Sequence, residues 1–130
     1  MEILIPVSIG ELVDKITILE IKSEKIKDAA KVESVNKELK LLQKEFAKLT
    51  SHTSYTAFLP LKEELLRVNQ TLWAIEDELR DLEKMKIFNA DFIENARKVY
   101  ITNDHRFRVK SQINNLFGSI VREVKSYKDY

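Results

Sequence analysis

A chain of 130 residues with 22 Lys and Arg against 21 Asp and Glu is one near-neutral domain, long enough to bury a core without covalent staples. Hydrophobic residues at 44% and charged residues at 33% exclude a disordered chain, and no apolar run approaches the roughly 20 residues of a membrane-spanning helix. With no cysteine and only two glycines, the chain can form no disulfide, thiolate nucleophile or Cys-based metal site, and no glycine-rich phosphate loop or dinucleotide fingerprint.

The expected setting is cytoplasmic. Met1–Val7 is too short for a signal-peptide core and has no basic start. A pI of about 7.9 argues against a dedicated nucleic-acid binder. Charge is nevertheless uneven. Residues 60–96 hold five basic and nine acidic side chains, and residues 97–130 hold eight basic and three acidic. The last helix is therefore expected to pack on the acidic one, with charges paired across the seam.

Glu2–Val7 reads as a short extended segment, because Pro6 keeps Ile5 out of the helical region. Ser8 and Glu11 have the spacing of a capping box ahead of a periodic apolar run, so a first helix begins near residue 9. Its main stripe is Ile9, Leu12, Ile16, Leu19, Ser23 and Ile26, while Ile18 and Ile21 lie on the other side. A helix apolar on two sides is covered on two sides, either at the centre of the fold or at a contact between two copies; a homodimer through Ile18 and Ile21 is the expectation.

The stripe slips phase at residues 28–31, where a kink is expected with Asp28 as cap. Val32, Val35, Leu39, Leu42, Phe46 and Leu49 then run for nearly three coiled-coil-like heptads. Thr50–Leu59 is rich in Ser and Thr and reads as a loop, with Pro60 in the first turn of the next helix. That helix carries Leu61, Leu65, Val68, Leu72, Ile75, Leu79 and Leu82 to about Lys86. The equal stripes of the second and third helices predict that these two form an antiparallel hairpin. Asn89 caps a fourth helix from Ala90 to about Phe117, Gly118 stops it, and residues 119–130 form a tail or a short helix. The whole is expected to be a single all-α domain, an antiparallel bundle of about four long helices over residues 1–130.

The fourth helix breaks the pattern. Its stripe is Phe92, Ala96, Val99, Asn103, Arg106, Lys110, Asn114 and Phe117, apolar at its ends and polar in its middle. Polar groups on a face that meets a core need partners, water or a ligand. The third helix offers Asn69, Trp73, Glu76 and Arg80 at helical spacing, and the first offers Asp14, Thr17 and Lys22. Two readings follow: these groups satisfy one another in a buried network, or they line a pocket in which Arg106 and Lys110 bind a small anion. Trp73 is the best candidate for a pocket wall.

Metal chemistry has little to build on. Glu11 with Asp14, and Glu78 with Asp81, lie one turn apart, as carboxylates do that hold magnesium in helical NTP pyrophosphatases. Such pairs arise readily among 21 acidic residues, so no metal and no cofactor is assigned. The only histidines, His52 and His105, have no partner at metal-ligand spacing.

The run Pro6–Lys22 (PVSIGELVDKITILEIK), with the later pieces LWAIED at Leu72–Asp77, NDHR at Asn103–Arg106 and KSY at Lys125–Tyr127, resembles a bacterial family catalogued only as a domain of unknown function. The resemblance covers nearly the whole chain and implies a self-contained helical domain, but no activity. The expected function is a binding or accessory module with a polar inter-helix cluster for a small anion. The alternative is a small helical enzyme for a phosphorylated or carboxylated metabolite, with or without magnesium.

Overall fold

Ser8 opens the first helix as its sequence context predicts: its Oγ accepts the Glu11 N–H at 3.1 Å. Helix α1 spans Ile9–Lys25 in this computed structural model, which describes residues 1–130. The reciprocal half of the capping box is absent, because the Glu11 carboxylate turns instead to Lys110 on the last helix. Ile26 and Asp28 are extended, and Asp28 accepts the Lys31 N–H to start α2 (Ala29–Phe46). The break thus falls at residues 26–28, two residues earlier than expected.

Helix α2 ends in a single 3₁₀ turn, Ala47–Leu49. Helix α3 spans Tyr55–Lys84 and α4 spans Ala90–Phe117, so the loop that was expected to reach Leu59 ends at Ser54. Tertiary packing overrides the local composition here. Phe58 is fully buried, with Phe46, Tyr55 and Phe117 around its ring, and that cluster draws the preceding turn into the helix. Pro60 therefore lies in the second turn, where its missing N–H leaves only the carbonyl of exposed Thr56 without a helical partner. Asn89 caps α4 through the Phe92 N–H, and Gly118 ends it in the left-handed conformation at φ 65°.

Helix α1 is central, lying against α2, α3 and α4. Its second apolar face is used within the chain: Ile21 is buried and Ile18 is half-buried. One expectation to be corrected is the hairpin of α2 with α3. Helix α2 packs along α1 and α3 packs along α4, while α2 reaches α3 through the ring of Phe46, against Tyr55 and Phe58. The short connection at residues 26–28 folds α2 back on α1, and no α2 residue is fully buried. All five elements are helical, and none is long and apolar enough to cross a membrane.

The core is Val13, Phe58, Leu65, Val109 and Ile113, drawn from α1, α3 and α4. Gly10 lets α1 approach α4 closely. A Cβ built there would stand 2.6 Å from the Lys110 carbonyl oxygen and 2.9 Å from Asn114 Oδ1. The first contact is helix backbone and cannot swing away. Gly10→Ala is expected to destabilise the fold by about 1–3 kcal/mol in urea unfolding, overpacking outweighing the better helix propensity of alanine. No loss of stability would show that the crossing has slack.

Beyond Gly118 the chain turns back and runs antiparallel along α4. Arg122 meets Asn115, Glu123 meets Lys110, Lys125 lies over the Phe107 ring, and Tyr130 packs on Tyr100. This strap brings Glu123 to the polar part of the bundle.

Candidate functional site

The polar stripe of α4 does face inward. Lys110 and Asn114 are buried, and Asn103 and Arg106 are half-buried. Asp14 of α1, fully buried, is the hub of the cluster. Its Oδ1 accepts Asn69 Nδ2 at 2.8 Å, its Oδ2 accepts Arg106 NH2 at 2.9 Å, and Lys110 Nζ lies 3.6 Å away. Asn69 also donates to Thr17 Oγ1 at 2.9 Å, and Thr17 donates to the carbonyl of Asp14. Each of these groups is satisfied by another, as buried polar groups must be.

Lys110 forms a second centre one turn along α4. Its ammonium donates to Glu11 Oε2 at 2.7 Å and lies 2.8 Å from Glu123 Oε2. The Glu123 oxygen is buried and makes no hydrogen bond of good geometry, so charge rather than direction holds it there. Lys125 lies 3.8 Å from the other oxygen of Glu123. Further along, α4 and the strap cap the start of α1: Asn114 Oδ1 accepts the Gly10 N–H at 2.6 Å and Ser119 Oγ accepts the Ile9 N–H. The amide donors that a helix start leaves unpaired thus find side-chain acceptors inside the protein.

Burial works against charge at both Lys110 and Glu123, and in each case the ion contacts win. Lys110 is held above its ordinary value by Glu11, Glu123 and Asp14, and Glu123 is held below the usual carboxylate range by Lys110, Lys125 and Arg106. Glu123 therefore adds stability that is present above the ordinary carboxylate pKa, about 4.3, and is lost as the pH falls through its lowered folded value. Lys110 adds stability that is fully present below the ordinary lysine pKa, about 10.4, and is lost as the pH rises through its raised folded value. Urea unfolding across pH should show a broad neutral plateau, and the acid decline should shrink in Glu123→Gln. An unchanged acid limb in that variant would remove Glu123 from the account.

Beside this network an open groove of about 410 Å³ runs between α1, α3 and α4. Ile18, Ile21, Leu72 and Trp73 supply its apolar wall, and Asn69, Glu76, Asp77, Arg80, Asn103 and Arg106 supply its polar one. Arg106 joins groove and network: one side of its guanidinium holds Asp14, and NH1 reaches Asn103 Oδ1 at 3.4 Å. Arg80 pairs with Glu76 along α3.

The sequence profile of DUF6165, described as a family of unknown function, matches residues 3–130. The chain belongs to DUF6165. Among curated proteins and solved structures, nothing matches it. A family of unknown function is thereby established for the chain, as expected, and the site of this DUF6165 domain rests on its own geometry.

The candidate residues divide into three groups. Asn69, Trp73, Glu76, Arg80, Asn103 and Arg106 line the groove together. Asp14, Thr17 and Lys110 lie behind them in the closed network, next to Asn114, which caps the start of α1. Lys22 makes no side-chain hydrogen bond or ion pair with any of them, and it joins only through backbone bonds of its own helix.

The expected charge pairing of α4 with acidic α3 is not what forms. Across that seam only His105 meets Glu64, at 2.7 Å. Arg106 and Lys110 take carboxylates of α1 and the strap, while Glu63 and Glu76 pair along α3 itself. The Glu11–Asp14 pair, weighed as a magnesium site, is bound to Lys110, and no three His, Asp or Glu side chains converge as metal ligands.

Three participants are absent from the sequence-level set. Glu123 and Ser119 lie in a segment without periodicity, so no pattern could place them. Glu11 was visible, but as a cap partner and a metal candidate rather than as a partner of Lys110.

Proposed function

We propose that this DUF6165 domain is a binding or accessory module whose α1/α3/α4 groove takes a small anionic ligand. The observation that carries the reading is the position of Arg106. Buried Asp14 anchors its guanidinium from behind, and part of the same group lines an open groove beside Trp73. A guanidinium has five N–H donors, and the bonds to Asp14 and Asn103 leave others for a carboxylate or phosphate. Anchoring of this kind lowers the ordering cost of binding. Lys110, expected beside Arg106 in an anion pocket, has its donors engaged by Glu11, Asp14 and Glu123 and does not line the groove.

Trp73 is the only tryptophan, so its fluorescence reports the groove directly. Titration with phosphate, carboxylates, nucleotides and sugar phosphates is expected to change that signal for one of these classes. The same ligand should raise the melting temperature in proportion to RT ln(1 + [L]/Kd). Arg106→Lys, which keeps the charge facing Asp14 but loses the paired donors, should weaken that ligand about tenfold or more. A flat response across the panel would sink the reading.

The alternative, a small enzyme acting on a phosphorylated or carboxylated metabolite, draws support from Glu76 and Asp77 in the same groove. Carboxylates beside a bound phosphate are the usual seat of magnesium. In that case magnesium should strengthen the response to the ligand and turnover should accompany binding. The cysteine-free composition supports a cytoplasmic setting for either role.

A further inference from the structure

The segment before Ser8 presents apolar side chains that nothing in the chain covers. Ile3, Leu4 and Ile5 are 79, 89 and 71% exposed, and Val7 is 40% exposed. No backbone–backbone hydrogen bond involves residues 1–7, so their N–H and C=O groups are left for water or for another chain. The same four side chains border a groove of about 670 Å³, and the helices supply its other apolar wall from Ile9 and Leu12 of α1 and Leu42 of α2. Together the four present roughly 500 Å² to solvent, at the upper end of what the largest apolar patch of a monomer exposes. A patch of that size calls for a cover.

Three features choose a second copy of this chain as that cover. Residues 1–7 carry a single charged side chain, Glu2, so the segment is itself the apolar filler that the groove takes. Because segment and groove adjoin, one two-fold contact covers both segments and both grooves at once, in a closed assembly. The area is also sufficient: counted on two copies with the groove walls, it reaches about 1,200 Å², where stable specific interfaces begin. Charge agrees, since Glu2 makes no ion pair while Lys15 on the groove rim is held only by Glu38 at 3.9 Å. We propose that the chain forms a two-fold dimer by segment exchange, in which residues 1–7 of each copy fill the groove between the other copy's segment and its α1 and α2. The order across the interface is then helices, partner segment, own segment, partner helices. None of these residues lines the groove beside Trp73.

An interface at the lower end of the standard size is expected to hold with micromolar affinity. Size-exclusion chromatography with light scattering of the full chain at about 100 µM should therefore give twice the chain mass of 15.2 kDa, falling toward the single mass on dilution. Leu4→Asp should be monomeric at the same concentration with unchanged helical circular dichroism, because Leu4 is exposed within the single copy. Leu42→Asp, on the opposite groove wall, should weaken the dimer in the same way. The chain has no cysteine, so a mixture of Leu4→Cys and Leu42→Cys, once oxidised, should yield a disulfide joining the two different variants.

A wild-type monomer at about 100 µM would overturn the exchange and leave the patch to a different protein. A dimer that Leu4→Asp leaves intact would overturn it too, as would a dimeric sample in which no mixed disulfide forms. The anion reading of the other groove is independent of every outcome, because its own readout is Trp73.

Discussion

Lys110→Met is expected to lower the free energy of unfolding by about 3–5 kcal/mol, the usual size for removing one partner of a buried ion cluster. Methionine matches the apolar stem of lysine and lacks only its terminal ammonium, so the loss reflects charge more than volume. The ammonium sits between Glu11 at 2.7 Å, Glu123 at 2.8 Å and Asp14 at 3.6 Å. Glu11 and Glu123 are part-exposed and can turn to water, but Asp14 has no exposure and keeps only Arg106 as counter-charge. Adding Glu11→Gln and Glu123→Gln to the lysine variant should recover part of the loss, since a cluster with its charges removed together costs less than one with a charge stranded. Urea unfolding of the three proteins checks both statements. A neutral Lys110→Met would mean that the ammonium looks into an open pocket instead.

Asp14→Asn carries an effect of similar size. The amide has nearly the shape of the carboxylate, but one acceptor becomes an NH2 group facing donors on every side: Asn69 Nδ2, Arg106 NH2 and Lys110 Nζ. Two cations then share the remaining carboxylates. The expected cost is again about 3–5 kcal/mol by urea unfolding. Arg106, freed from its anchor, should also position a ligand less well, so any anion that changes Trp73 fluorescence should bind more weakly. A variant of wild-type stability would show that Asp14 is not the hub.

Much of this arrangement is legible in the residues, and the limits are physical. Period 3.6 in α1, α2 and α3 marks the faces that pack inward, and the polar interruption at Asn103, Arg106, Lys110 and Asn114 marks where α4 meets Gly10, Glu11 and Asp14 of α1. Local capping rules place Ser8, Asp28, Asn89 and Gly118 at helix ends. Helix partners were harder. Equal stripe length suggested that α2 pairs with α3, whereas the three-residue break before α2 decides that it folds on α1. Charge blocks misled for a related reason. The acidic excess of α3 suggested partners on α4, but ion pairs form where side chains converge, and Glu63 and Glu76 are nearest to arginines one turn along their own helix. Glu123 was invisible because an extended strap has no pattern from which to read its register.

The central claim is that Asp14 and Lys110 belong to one closed network behind the groove. A double-mutant cycle with Asp14→Asn, Lys110→Met and the double variant tests it most directly. Removing both charges should cost less than the sum of the single losses, with a coupling of about 0.5–3 kcal/mol in urea unfolding. Strict additivity would contradict the account, because it would mean that the two groups do not share a network.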